Sequence, residues 1–127
     1  MKHLTLTLSL ILGLATSVSA EDKPFKVGDV FFCQMDKLVY YDWKANGEKL
    51  GVYKNENFRF TISEDRTLRF GESGTLGRLE IPINFLTKRS ISANSLNGTA
   101  NLEGTWFSYA SAGYESITMI AATCDRF

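Results

Sequence analysis

Three features of this 127-residue sequence predict an all-β fold: a small antiparallel barrel or sandwich of about 7–9 short strands, its N- and C-terminal strands linked by one disulfide. Apolar residues recur at every second position through most of the chain, which is the period of a strand. Turn-forming residues break these runs at short intervals. The only two cysteines, Cys33 and Cys124, stand near opposite ends of the alternating region.

The first twenty residues, "MKHLTLTLSLILGLATSVSA", do not belong to that pattern. Lys2 and His3 form a short basic start, Leu4 to Ala15 an apolar stretch, and Val18-Ser19-Ala20 a small-residue cleavage pattern. This predicts a secretory signal over residues 1–20 and a single β domain over 21–127, exported to the periplasm or the medium. An apolar stretch of about 12 residues is too short for a bilayer span, which needs roughly 20, so no membrane span is expected after cleavage. An oxidising compartment favours a Cys33–Cys124 bond, the one intramolecular pairing two cysteines allow.

Each run reads in turn. In "VFFCQMDKLVYYDW" the odd positions Phe31, Cys33, Met35, Val39, Tyr41 and Trp43 form an apolar face, interrupted by Lys37. Phe32, Leu38 and Tyr40 fall on the other parity with Asp36 and Asp42. "NFRFTIS" and "TLRF" alternate cleanly, and "LEIPINF" places Leu79, Ile81, Ile83 and Phe85 on one side. Pro82 has no N–H for a ladder and predicts an edge or a bulge there. "SITMIAATC" is apolar on both parities, the signature of a strand covered on both sides. Asn46-Gly47 and Asn97-Gly98 suit the centre of type I′ hairpin turns, and "GESGTLG" (Gly71 to Gly77) reads as a flexible loop. Glu21 to Gly28 has room for one turn.

Composition limits the chemistry. His3 is the only histidine and lies in the signal, so the exported chain has no imidazole base for Ser-His-Asp or Cys-His catalysis. Zinc sites built on His or on four Cys have no ligands, and no metal or cofactor is expected. Losing Lys2 from 14 basic residues leaves the 14 acids one ahead, a near-neutral balance with no footprint for nucleic acid. No phosphate-cradling glycine motif occurs. Asp36, Asp42, Glu80, Glu103 and Glu115 are the carboxylates a hydrolase would have to bring together.

Aromatics are the richer signal. All nine Phe, five Tyr and two Trp fall after residue 20, and some lie on parities that need not face a core. In outline the chain is similar to barrel-type periplasmic lysozyme inhibitors. "SAGYE" (Ser111 to Glu115) echoes their Ser-Gly-x-x-Tyr loop with a different spacing, so no residue role is carried over.

The reading that follows is a non-enzymatic binding or inhibitory protein with a protein or glycan partner. Strand parity and exposed chemistry nominate Tyr40, Asp42, Phe107, Tyr109 and Tyr114 as partner contacts. The alternatives are a lipocalin-like carrier of a small apolar ligand and a carboxylate-dependent hydrolase. Asn97-Gly98-Thr99 also fits an N-glycosylation acceptor, with a plain hairpin turn the preferred reading.

Overall fold

A computed structural model describes residues 23–43, 49–52 and 56–127, with the backbone alone for 49–52. The predicted signal at 1–20 and the Asn46-Gly47 turn lie outside the described residues. Nine strands run in chain order: β1 (Val30–Asp42), β2 (Lys49–Val52), β3 (Asn57–Ile62), β4 (Thr67–Phe70), β5 (Glu80–Leu86), β6 (Ser90–Ser95), β7 (Gly98–Glu103), β8 (Trp106–Ala112) and β9 (Ser116–Arg126). No helix occurs among the described residues. Each strand from β3 to β9 pairs with its sequence neighbour, and β9 returns to β1. The result is a closed eight-stranded antiparallel barrel of β1 and β3 to β9. Strand β2 continues the line of β3 along β1 in the same register, with Val39 opposite Val52 and Gln34 opposite Asn57.

The closing pair is also the longest, joining Phe31–Arg126 at one end to Asp42–Ser116 at the other. Cys33 lies directly opposite Cys124, their Cα atoms 4.0 Å apart, and the two form a disulfide. Such a separation belongs to the narrow, non-hydrogen-bonded positions of an antiparallel ladder, where side chains approach most closely. Both cysteines are buried, so the bond crosses the barrel closure from the inside.

Two bulges correct the simple alternation. The register of β1 against β9 shifts between Met35 and Lys37, so Asp36 is the extra residue. One inserted residue moves every later side chain to the other face. Phe31, Cys33 and Met35 point inward, and beyond the bulge Leu38 is the buried residue while Lys37 is exposed. Lys37 therefore does not interrupt an inner face, and Tyr40 and Asp42 share the inward parity of Leu38. The second bulge lies between Ile83 and Phe85. It turns Phe85 outward, 58% exposed, where strict alternation had placed it with Ile81 and Ile83. Pro82, on a strand with two neighbours, sits opposite Thr67 with this bulge just beyond.

The barrel axis is filled. Phe31 stacks on Phe60 at 4.8 Å between centroids, Phe60 meets Phe70 at 5.4 Å and Phe107 at 5.5 Å, and Phe58 meets Phe107 at 5.2 Å. Met35, Ile62, Leu68 and Ile81 complete the layers with at most 1% exposure. An eight-stranded barrel is just wide enough to be packed by side chains, and burying each such residue contributes about 1.5–3 kcal/mol.

Both ends are plugged. At the end where β1 begins, Lys26 to Asp29 form a turn with Gly28 at φ 92, as a type II turn requires of its third residue. Phe25 packs edge-on against Phe31 at 5.3 Å. Arg126 holds this segment: its guanidinium lies 5.1 Å over the Phe25 ring, pairs with Asp29 at 3.3 Å and donates to the carbonyls of Lys23 and Pro24. At the opposite end the loop between β4 and β5 is tied down rather than free. Its Arg78 and Thr75 amides donate to the Gly71 carbonyl and the Glu56 carboxylate, and Leu76 is buried to 3% exposure.

The β6–β7 hairpin differs from the expected one. Ser95 pairs with Gly98, so Leu96 and Asn97 form the turn, and neither has positive φ. Gly98 opens β7 at φ 143, where an added Cβ would lie 2.7 Å from the Tyr109 ring. Glycine is required here by that close approach as well as by its backbone angle.

The β3–β4 turn carries one charge-dependent feature. Ser63 and Arg69 both hydrogen-bond the Asp65 carboxylate, and Arg69 also pairs with Glu80 at 2.9 Å. The Ser63 hydroxyl first, and then Arg69, hold the Asp65 carboxyl below its ordinary 3.8. A depressed carboxyl stabilises the fold above its unfolded value, and that contribution is lost as pH falls through the folded value. Carboxyl NMR titration is expected to place the Asp65 midpoint below 3.8, with Ser63→Ala and Arg69→Gln each moving it upward. A midpoint at the ordinary value would show the turn to be open in solution.

Candidate functional site

Antiparallel pairing puts directly opposed residues on one face of the sheet, so register defines the outer surface row by row. Across β1, β9 and β8, Tyr41 stands beside Ile117 and Ala112, and Val39 beside Met119 and Ala110. Lys37, Ala121 and Ser108 form the next row. These outward positions are apolar or small except for Lys37. Ile117 is 37% and Met119 55% exposed, and Trp43 continues the patch with its ring 6.1 Å from that of Tyr41. Between Met119 and the small side chains of Ser108, Ala110 and Ala121 lies a shallow depression of about 380 Å³, bounded by Thr99 and Asn101 on β7. Small residues on β8 and β9 make the dip; the long Met119 and Lys37 side chains form its walls.

The other side of the barrel has opposite character. Outward positions on β3, β4 and β5 include Arg59, Arg69, Glu80 and Asn84, with Arg69 bridging Asp65 and Glu80. That is a solvated face of ordinary kind. Phe85, turned outward by the β5 bulge, is the apolar exception on it.

The nominated contact residues do not assemble on one surface. Phe107 and Tyr109 are corrections: they are 3% and 7% exposed, inward on β8, and cannot meet a partner. Phe107 belongs to the ring cluster, and the Tyr109 hydroxyl donates to the Asn97 carbonyl at 2.7 Å. In "TWFSYAS" both parities carry aromatics, and only closure of the barrel decides that Phe107 rather than Trp106 is inside. Tyr40 and Asp42 are half-buried near the mouth beside the β8–β9 turn, where the Tyr40 hydroxyl donates to Asp42 at 3.2 Å. Tyr114, at that turn, is 99% exposed. The doubly apolar β9 predicts cover on both sides; instead Ile117 and Met119 are exposed on its outer side.

The carboxylates are dispersed. Asp36 accepts the Thr123 hydroxyl at 2.8 Å, Glu80 pairs with Arg69, and Glu103 and Glu115 lie at opposite ends of the barrel. Among the described residues no group of three His, Cys, Asp or Glu side chains is placed to hold a metal ion. No helix among them is long and apolar enough to cross a membrane.

The fold and surface define a closed, disulfide-linked antiparallel barrel with an apolar patch on the outer side of β1, β8 and β9. Comparison finds no matching family model, curated protein or solved structure, so that surface is read from its own residues.

Proposed function

We propose that this chain is an exported, non-enzymatic binding protein that docks a protein partner through the outer face of β8, β9 and the second half of β1. One observation carries the reading. Strand β9 is apolar on both parities, its inward residues Ile120, Ala122 and Cys124 are buried, and its outward residues Ile117 and Met119 are left uncovered. A contiguous apolar patch on a sheet face marks an interaction site, because covering it removes apolar area from water. The internal disulfide is consistent with an oxidising compartment.

The carrier alternative has less support, since five phenylalanine rings occupy the axis and both mouths are plugged. The hydrolase alternative lacks a convergent carboxylate pair.

Replacing Ile117 and Met119 together by Lys tests the docking face. A photo-crosslinker at Ala110 in the extracytoplasmic fraction is expected to capture a defined partner, with the double variant losing at least about tenfold in yield. The thermal midpoint is expected to stay unchanged, because both side chains point away from the core. The control Arg59→Glu, on the solvated face, is expected to capture normally. Equal capture by all three proteins would refute the assignment, and a crosslinked second copy of this chain would replace it with self-association.

A further inference from the structure

A second concavity lies at the barrel end closed by Phe25, the end opposite Ile117 and the β8–β9 turn. There β9 runs past the start of β8, and the gap between them opens over the rim into a cleft of about 880 Å³. Small-molecule sites usually span roughly 300–1,000 Å³. The floor is apolar, made by Phe25, Phe31 and Cys124. Trp106 stands at the mouth, 72% exposed, with no aromatic partner among the described residues. Around it are Arg89, Glu103 and Asp125, whose side chains make no hydrogen bond or ion pair among the described residues.

The frame that holds these groups is stiff. The Gly104 amide donates to the Arg89 carbonyl at 2.9 Å, tying the β7–β8 turn to the β5–β6 loop. The Cys124 amide donates to the Thr105 carbonyl at 2.7 Å, and the disulfide secures Cys124 to β1. Gly104 has φ 60 at the first turn position, the requirement of a type II′ hairpin, so the turn is locally specified. The polar groups are thus presented from a fixed rim rather than from a mobile loop.

Their chemistry selects a ligand class. Arg89 and Arg126 balance Glu103 and Asp125 in the lining, so neither a strongly anionic nor a strongly cationic ligand is favoured. Arg126 is already committed to Asp29 and the Phe25 ring. What remains is an open indole face ringed by planar donors and acceptors. A pyranose matches both parts: its C–H face lies flat on an aromatic ring, and each hydroxyl can donate and accept. We propose that this rim cleft binds a short neutral oligosaccharide, stacked on Trp106 and hydrogen-bonded by Arg89, Glu103 and Asp125.

The test is titration of the folded, oxidised protein with maltotriose, cellotriose and tri-N-acetylchitotriose in the millimolar range. Adenosine and inorganic phosphate serve as contrasts. Trp emission in a Trp43→Phe background and the amide NMR shifts of Gly104, Thr105 and Asp125 report on the rim. At least one trisaccharide is expected to bind saturably, with Trp106→Ala weakening it about tenfold or more. Glu103→Gln is expected to weaken it less. Trp106 is exposed, so these variants should keep the parent thermal midpoint, and the Ile117/Met119 variant should bind the sugar normally. That last result separates failure of this cleft from failure of the docking face. No response to any trisaccharide overturns the proposal; so does tighter binding of adenosine, or phosphate binding abolished by Arg89→Ala.

Discussion

Removing the disulfide is expected to lower stability by about 4–5 kcal/mol, the loop-closure value for cysteines 91 residues apart. The bond restrains the unfolded chain over nearly its whole described length, whereas the folded chain holds Cys33 and Cys124 together through the β1–β9 ladder anyway. A domain of this size has a net stability of only about 5–15 kcal/mol, so the reduced protein would be marginal. The double variant Cys33→Ala/Cys124→Ala is the cleaner probe, since a single replacement would leave an unpaired thiol in the core. Its thermal midpoint is expected to fall by roughly 20 °C, given about 4–8 °C per kcal/mol for a small domain. Denaturant melts of the oxidised, reduced and double-Ala proteins measure this. A loss under about 1 kcal/mol would mean that the unfolded chain already keeps the two ends together.

The second large effect concerns Arg126. Arg126 and Asp29 are each only 10% exposed at the side chain, so they form a nearly buried ion pair. Replacing Arg126 by Ala leaves the Asp29 carboxylate with the Lys26 amide but without its cation. Stranding one charge of a buried pair costs about 3–5 kcal/mol, and the Phe25 ring contact is lost with it. The expected result is a destabilised barrel in which hydrogen exchange rises first at Phe25 to Asp29. Arg126→Lys is expected to recover part of the loss, having charge but no planar fork for the two carbonyls. In a double-mutant cycle, Asp29→Asn with Arg126→Met should cost less than the two single changes added together. Additive losses would show that the pair is not coupled, and protection unchanged at Phe25 would show that something else holds the plug.

Much of the architecture is legible before any coordinates. Alternation in "NFRFTIS", "TLRF" and "LEIPI" places Phe58, Phe60, Ile62, Leu68, Phe70, Ile81 and Ile83 in the core, where they are found. Period-two patterns are informative wherever one face meets water, because a slip by one residue would exchange the two faces. The same logic fails at Asp36 and Asn84. Pro82 marks the second bulge only approximately, and Asp36 carries no local mark; the exact position of each depends on how one strand matches its neighbour's register. Tyr40 and Phe85 were misplaced for that reason alone. Phe107 and Tyr109 failed differently, since aromatics on both parities of β8 offer equally good inner faces until the ring of strands is closed.

By itself the sequence determined the all-β class, the short antiparallel strands and the pairing of Cys33 with Cys124. Period, turn chemistry and a two-cysteine inventory are local or countable properties. Tertiary structure alone decided which parity of β8 faces inward, that Arg126 clamps the Phe25 segment, and that the outward side of β9 stays uncovered. Those outcomes depend on how residues far apart in the chain meet around a closed barrel, and no short stretch of sequence carries that geometry.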